Sequence, residues 1–162
     1  MTAGATSLDS LVTARRAWRD AGRRVVLTNG CFDLLHAGHV ALLEAARAQG
    51  DVLVVAVNSD PSVGAIKGGS RPLLTAAERV EVLLAMEAVE RVVVYDEPTP
   101  IEVVRALAPD VLVKGADWAA EEIVGRDVVE AAGGRVVRVE IVPGRSTTAM
   151  IERVRALGPK GS

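Results

Sequence analysis

The sequence predicts one α/β domain built on a parallel sheet. Short runs of β-branched apolar residues recur along the chain, and alanine- and leucine-rich stretches with helical spacing separate them. Continuous apolar runs of this length are typical of strands buried on both faces. The 162 residues, 49% of them hydrophobic, suffice for one core but not for two substantial domains. Because right-handed crossovers place helices over both faces, we expect a doubly wound, Rossmann-like sheet of about five strands.

The elements follow in a regular order along the chain. The predicted strands are Val25 to Leu27, Val52 to Val57, Val92 to Tyr95, Val111 to Val113 and Val136 to Val139. The predicted helices are Leu8 to Ala21, Val40 to Ala48, Ala76 to Ala88, Ile101 to Ala108, Glu121 to Ala132 and Thr147 to Leu157. This order predicts an N-terminal helix (1–22) that packs on the main domain (23–157), followed by a flexible tail (158–162).

One connection stands out by its composition. Residues 59–75 hold three glycines, two prolines, Lys67 and Arg71, which predicts a long loop of the kind that often carries function. Beyond it, Arg79 has Glu78 and Glu81 close by on the same predicted helix. We therefore expect an intrahelical ion pair there.

Composition limits the classes of function. A net charge of -2 argues against a nucleic-acid partner. No apolar run approaches the roughly 20 residues of a membrane span, and the start lacks the pattern of a secretion signal. The single cysteine, Cys31, allows no internal disulfide, and with only two histidines a tetrahedral zinc site would need carboxylates. These features favour the reducing cytoplasm.

The turn after the first predicted strand is the first candidate site. In an open parallel sheet, ligands bind at the carboxyl ends of the strands. Residues 28–39 match neither the G-x-G-x-x-G fingerprint nor a Walker A loop. Instead, His36 and His39 bracket Gly38 at a predicted helix start, where free backbone N–H groups attract phosphate. The alternative is that both histidines are ordinary polar residues of a surface turn.

A second candidate lies near the end of the chain, at Gly144-Arg-Ser-Thr-Thr148. A glycine turn followed by three hydroxyl side chains at a helix start offers N–H and O–H donors for the phosphates of a nucleotide. Ser146 is equally suited to cap the helix, and the two roles use the same geometry.

These segments carry a family resemblance. His36-Ala-Gly-His39 after Gly30-Cys-Phe-Asp33 resembles the HxGH nucleotidyltransferase superfamily, and Gly144 to Thr148 is similar to the GxSTT turn of its cytidylyltransferase branch. The stretch from about Arg24 to Arg153 resembles the adenylyltransferase domains of bacterial ADP-heptose synthases, with further matches in residues 57–60, 67–72 and 113–118.

The resemblance implies transfer of AMP from ATP to heptose 1-phosphate, with release of pyrophosphate. It implies catalytic roles for His36, His39 and Lys67. The implied nucleotide-binding residues are Gly30, Cys31, Phe32, His36, Gly38, His39, Lys114, Gly144, Ser146, Thr147 and Thr148. The implied substrate-binding residues are Asn29, Asp33, Lys67, Arg71, Asp117 and Trp118. For Asp33 the residues themselves indicate support of the turn rather than contact. We expect Mg²⁺ to be bound through the triphosphate rather than by protein side chains.

Two alternatives remain open at the level of sequence. A cytidylyltransferase would use CTP with glycerol, ethanolamine or ribitol phosphate, although the Arg-Thr pair usual upstream of that turn is replaced here by Ile141-Val-Pro143. A non-catalytic nucleotide-binding regulator is the alternative of another class. Arg145 is unusual within the turn, and its role is left open.

The resemblance also implies partners. The related domain is often fused to a sugar kinase, and 162 residues are too few for one, so a separate kinase is expected to make the phosphosugar. We expect a cytoplasmic homo-oligomer, with a dimer favoured, that serves lipopolysaccharide core synthesis or another heptosylated product and has no nucleic-acid or membrane partner.

Overall fold

Five parallel strands form the centre of the molecule in the structure, a computed structural model that describes residues 2–159. The strands are β1 (Val25–Gly30), β2 (Val52–Asn58), β3 (Arg91–Tyr95), β4 (Val111–Gly115) and β5 (Arg135–Val139). They lie in the order β3-β2-β1-β4-β5, and every neighbouring pair is parallel. This arrangement confirms the predicted doubly wound fold.

Helices cover both faces of the sheet. They are α1 (Leu8–Asp20), α2 (Ala37–Arg47), α3 (Asp60–Lys67), α4 (Ala76–Leu84), α5 (Ile101–Leu107), α6 (Arg126–Ala131) and α7 (Thr147–Ala156), with a short 3-10 helix at Ala120–Glu122. One core cluster packs around Leu11 and Val54, and the other around Leu43 and Val55, so β2 contributes to both. All seven residues of β2 are buried, as its continuous apolar run requires.

Two predicted segments differ from the structure. The connection 59–75 is not all loop, because it contains α3, where the Ser59 side chain caps the helix and a proline occupies its first turn. The predicted helix from Glu121 to Ala132 is split into the 3-10 helix and α6. Between them Gly125 has a φ of 88° and lies so close to Val104 that a Cβ atom would come within 2.8 Å of it. A side chain there would meet both backbone strain and a clash.

The prediction for Arg79 was wrong. Its side chain is 1% exposed and pairs with Asp60 at 2.8 Å. The same guanidinium donates to the carbonyl oxygens of Cys31 and Leu74. Glu78 forms a capping box with Thr75 instead. Arg79 therefore ties α4 to the turn after β1 and to α3, a tertiary role that helical spacing cannot reveal.

The N-terminal helix α1 packs against α5. Leu11 and Trp18 are buried, and Arg15 donates to the carbonyl oxygen of Leu107 and pairs with Asp110 at 3.0 Å. Of the predicted tail 158–162, residues 160–162 lie outside the described part of the chain. Within residues 2–159, no helix has both the length and the apolar character needed to cross a membrane.

Candidate active site

A cavity of about 670 Å³ opens at the carboxyl edge of the sheet. Its wall includes the ends of β1, β2, β3 and β4 and the starts of α2 and α7. Every site residue predicted from the sequence lines this cavity except Gly144, which lies in the preceding turn with a φ of 70°. The chain thus gathers residues from segments more than a hundred positions apart into one concave surface.

The two histidines of the chain stand side by side at the start of α2. Their rings are stacked, with centroids 3.9 Å apart, and the ring of Phe32 lies 5.3 Å from that of His39. Gly38 makes this packing possible, since a Cβ atom there would come within 2.8 Å of the His36 ring. The glycine of the motif is therefore needed for space as well as for its backbone N–H.

The structure fixes the tautomer of neutral His36. This residue is the N-cap of α2, and its Nδ1 accepts a hydrogen bond of 3.0 Å from the backbone N–H of Gly38. An imidazole nitrogen that accepts carries no proton, so in the neutral ring the proton resides on Nε2. Nε2–H is then a hydrogen-bond donor for a ligand.

Both histidines favour the neutral form. Burial, and after it the charge of the neighbouring His36, lower the pKa of His39 to about 4. The pKa of His36 is also lowered, first by burial and then by the charge of Arg145. Nδ1 of His39 is buried and has no partner within the described chain. A bound anion would oppose both pKa shifts, because nearby negative charge favours a protonated imidazole.

The turn before α7 reaches the histidine motif directly. Thr147 donates its Oγ1–H to the carbonyl oxygen of Leu34 at 3.1 Å. Ser146 caps α7, its Oγ accepting from the N–H of Ala149 at 3.0 Å. Arg145 approaches from the same side, with its Cβ 3.1 Å from the position that a Cβ on Gly38 would occupy. The N-termini of α2 and α7 therefore border one cavity, and helix N-termini attract phosphate.

Lys114 forms a cationic point on the cavity floor. Its ammonium donates to the backbone oxygen and to Oδ1 of Asn29, at 3.2 and 3.3 Å, and lies 4.9 Å from the centre of the Trp118 ring. Burial lowers the pKa of Lys114, while Asp117 acts against that shift. Asp117 and Trp118 are exposed at the cavity wall, so both are accessible to a ligand.

Asp33 and Arg71 form an ion pair with each other. The Asp33 carboxylate, in a residue that is only 2% exposed, accepts from Arg71 Nε at 2.6 Å and from the N–H groups of Leu73 and Leu74. Burial alone would raise the pKa of Asp33, but these hydrogen bonds outweigh it and the pKa lies below the usual value. Asp33 therefore has a structural role, but it joins the turn after β1 to the segment 71–74 instead of bonding N–H groups of its own turn as expected. Lys67, by contrast, is exposed at the end of α3 on the cavity wall.

Tyr95 and Asn58 were not among the predicted site residues. Both line the cavity, and Tyr95 donates its hydroxyl proton to Oδ1 of Asn58 at 3.0 Å. Each stands at the last position of its strand, β3 and β2. A polar residue that ends a buried apolar run is the signal that would have identified them.

The described residues contain no group of three His, Cys, Asp or Glu side chains placed to hold a metal ion. Burial also raises the pKa of the Cys31 thiol, which keeps it a poor nucleophile at neutral pH. The site therefore offers imidazole, ammonium, hydroxyl and backbone N–H donors, a set suited to phosphate oxygens.

Two curated bacterial proteins are similar to this chain over most of its length. The chain is 56% identical to the bifunctional protein HldE of Azorhizobium caulinodans over 86% of its length, and 49% identical to that of Methylobacillus flagellatus over 91%. It spans about 30% of the length of these curated relatives.

One solved structure is also similar to this chain in fold and sequence. The lipopolysaccharide core biosynthesis protein of Thermoplasma volcanium matches with a TM-score of 0.64 and 27% identity, over 75% of this chain and 99% of that one. The model of the cytidylyltransferase-like family matches residues 27–155, from β1 into α7, a range that includes the histidine motif and the turn before α7. The chain therefore belongs to the cytidylyltransferase-like family.

Proposed function

We propose that this chain is a nucleotidyltransferase that transfers AMP from ATP to heptose 1-phosphate, forming ADP-heptose and pyrophosphate. The observation that carries the proposal is the meeting of the two phosphate-binding turns at one cavity, through the bond from Thr147 to the carbonyl oxygen of Leu34. The choice of ATP and heptose is supported by the resemblance to adenylyltransferase domains of ADP-heptose synthases. The relatives named HldE, which are 49% and 56% identical, support it further.

The reaction needs positioning and charge stabilisation more than acid–base chemistry. A phosphate oxygen of the sugar phosphate attacks the α-phosphorus of ATP in line. A new P–O bond forms while the bond from the α-phosphorus to the bridging oxygen breaks, and pyrophosphate leaves with that electron pair. The attacking phosphate is already anionic at neutral pH, so no side chain has to remove a proton.

The residues at the cavity suit these steps. His36 offers Nε2–H to phosphate oxygens, since its Nδ1 is occupied by the Gly38 N–H. Thr147 donates its hydroxyl proton to Leu34, so the hydroxyl groups of Ser146 and Thr148 and the free N–H groups at the start of α7 would be the donors for the leaving pyrophosphate. Lys67 on the wall is placed to neutralise phosphate charge, and exposed Asp117 can accept hydrogen bonds from sugar hydroxyls.

ATP is proposed to enter as its magnesium complex. The described chain holds no cluster of metal ligands, so the ion would be bound by triphosphate oxygens and water. The acceptor already carries a phosphate, and a sugar kinase must therefore act before this step. A cytoplasmic location and a homodimeric assembly complete the proposal.

A second candidate is CTP-dependent transfer to a polyol or ethanolamine phosphate. The description of the matching family, cytidylyltransferase-like, favours it. The test is pyrophosphate release measured with ATP or CTP, each combined with heptose 1-phosphate or glycerol 3-phosphate. We expect turnover with ATP and the heptose. Turnover with CTP and glycerol phosphate alone would replace the proposal.

Substitution of His39 separates catalysis from binding. We expect His39→Asn to lower kcat by about 100- to 1,000-fold while the Kd for ATP changes little. The reason is that the imidazole of His39 is proposed to stabilise negative charge that develops only in the transition state. Arg16→Ala, an exposed change on α1, is the matched control and should match the unsubstituted protein. A loss of ATP affinity as large as the loss of turnover would give His39 a role in binding alone. ATP binding without any turnover by the unsubstituted protein would point instead to a non-catalytic nucleotide-binding protein.

A further inference from the structure

A chain of polar side chains crosses the cavity floor from β4 to β3. Lys114 on β4 donates to Asn29 on β1, and Asn29 Nδ2 donates to the Tyr95 hydroxyl at 3.4 Å. Tyr95 on β3 donates to Asn58 on β2, whose Nδ2 donates to Ser62 Oγ at 3.0 Å. Four strand ends are therefore joined by side-chain hydrogen bonds at the edge where substrates enter.

The ammonium of Lys114 sets the donor-to-acceptor direction of every hydrogen bond in this series of side chains. An ammonium only donates, so the Asn29 amide must turn its oxygen towards Lys114 and its NH₂ towards Tyr95. The Tyr95 oxygen then accepts and has to give its own proton to Asn58 Oδ1. With that oxygen occupied, Asn58 turns its NH₂ to Ser62. Each group has one consistent role, which favours a single geometry at Lys114.

Lys114 also lacks the carboxylate partner that three other cations of low exposure have in the described chain. Arg15, Arg71 and Arg79 each form an ion pair with an aspartate, whereas half-buried Lys114 has no carboxylate at ion-pair distance within residues 2–159. Its partners there are the two neutral oxygens of Asn29 and the face of Trp118. A partly desolvated charge without a counter-charge is costly, and an anion at the cavity floor would offset that cost.

We infer that Tyr95 is a positioning residue, whose hydroxyl acts through Asn29 to hold the Lys114 ammonium where it binds a phosphate group of the substrates. The inference rests on the proposed function only for the identity of those substrates. The phosphate belongs either to the nucleoside triphosphate or to the sugar phosphate. Tyr95 itself contacts neither and acts through the amide of Asn29.

The test is a double-mutant cycle on ligand affinity. Lys114→Met keeps the length of the side chain and removes its charge, and Tyr95→Phe keeps the ring and removes the hydroxyl. Affinities for ATP, heptose 1-phosphate, pyrophosphate and inorganic phosphate are measured by calorimetry in separate titrations. For at least one of these ligands we expect Lys114→Met to weaken binding by roughly 10- to 100-fold and Tyr95→Phe by about 3- to 10-fold. The titration that weakens identifies the source of the phosphate.

Coupling is the result that a merely structural Tyr95 would not produce. If Tyr95 acts through Lys114, the double variant binds no more weakly than Lys114→Met alone. Additive losses would overturn the role of Tyr95, and unchanged affinity of Lys114→Met for all four ligands would overturn the phosphate site. Arg16→Met on the exposed face of α1 is the control for the loss of a cation.

Two further measurements keep the outcome clear. Thermal unfolding of each variant checks the fold, and Asn29→Ala cuts the link independently, so that adding Tyr95→Phe to it should have no further effect on affinity. If the protein binds phosphates with the expected coupling but shows no turnover of heptose 1-phosphate, the proposed function fails while this inference stands. If turnover occurs and coupling is absent, the reverse holds.

Discussion

Acidification should lower the free energy of unfolding, because His39 has to be protonated as the pH falls. His39 has a pKa of about 4 in the folded protein against 6.5 in an unfolded chain. A depressed imidazole pKa means that the unfolded chain binds the proton more tightly, so stability is full above about pH 6.5 and is lost as the pH falls towards 4. The gap corresponds to about 3 kcal/mol of unfolding free energy, at about 1.36 kcal/mol per pH unit.

The assay is simple because the chain has only two histidines. Proton NMR of the imidazole Cε1–H signals follows both titrations, and His39→Gln assigns the signals. Urea unfolding at pH 7 and at pH 4.5 gives the matching free energies. We expect the unsubstituted protein to lose about 2 to 3 kcal/mol more than His39→Gln over this range. The subtraction removes the part that is due to carboxylates such as Asp33, whose pKa is also lowered.

Nucleotide should reverse the effect. ATP at the starts of α2 and α7 would bring phosphate charge close to both imidazoles, and a nearby anion raises an imidazole pKa. We expect both histidine titrations to move to higher pH in the presence of ATP. The reasoning is refuted if free His39 titrates near 6.5, if the two proteins lose stability equally, or if saturating ATP leaves both titrations in place.

Two further predictions concern the supports of the site. Asp33→Asn should cost about 2–4 kcal/mol in urea unfolding, because a buried carboxylate with an arginine partner loses its charge. Removing the exposed partner of Arg105 by Glu102→Gln is the control and should cost less than about 1 kcal/mol, and equal costs would contradict the supporting role. Gly38→Ala should lower kcat by about 100-fold, because the new Cβ would displace the His36 ring from a contact of 2.8 Å. Unchanged kcat, with the His36 signal unshifted in NMR, would show that the glycine is not needed for space.

The strands were predictable because burial on both faces leaves a simple trace. The five apolar runs begin within one residue of the observed strands, but several observed strands extend further, to Gly30, Asn58 and Gly115. These extensions carry the polar and small residues that face the cavity. A search for apolar runs therefore stops before the strands end. Helix α3 was missed for a related reason, since its glycine and proline are typical of a loop.

The sequence identified the motifs that line the cavity, but not the residues whose long-range contacts hold those motifs in place. His36, His39 and the hydroxyl turn at 146–148 could be found from local sequence, because a helix start with glycine and polar capping residues has a local signature. Arg79 and Tyr95 act across elements, on residues 48 and 37 positions away. No local pattern contains such distances, and these contacts exist only once the strand order is known.

Strand order also explains why the cationic floor lies where it does. The chain runs from β1 to β2 and β3 on one side of the sheet, then crosses back to β4 and β5 on the other. The turns after β1 and β4 consequently leave the sheet in opposite directions and open a crevice between neighbouring strands, which is where ligands bind in doubly wound folds. Asn29 and Lys114 are the penultimate residues of these two strands, so their hydrogen bond spans that crevice at its base. An ammonium fixed there faces a ligand that enters between the two turns, which is the position that our proposal gives to a phosphate of the substrates.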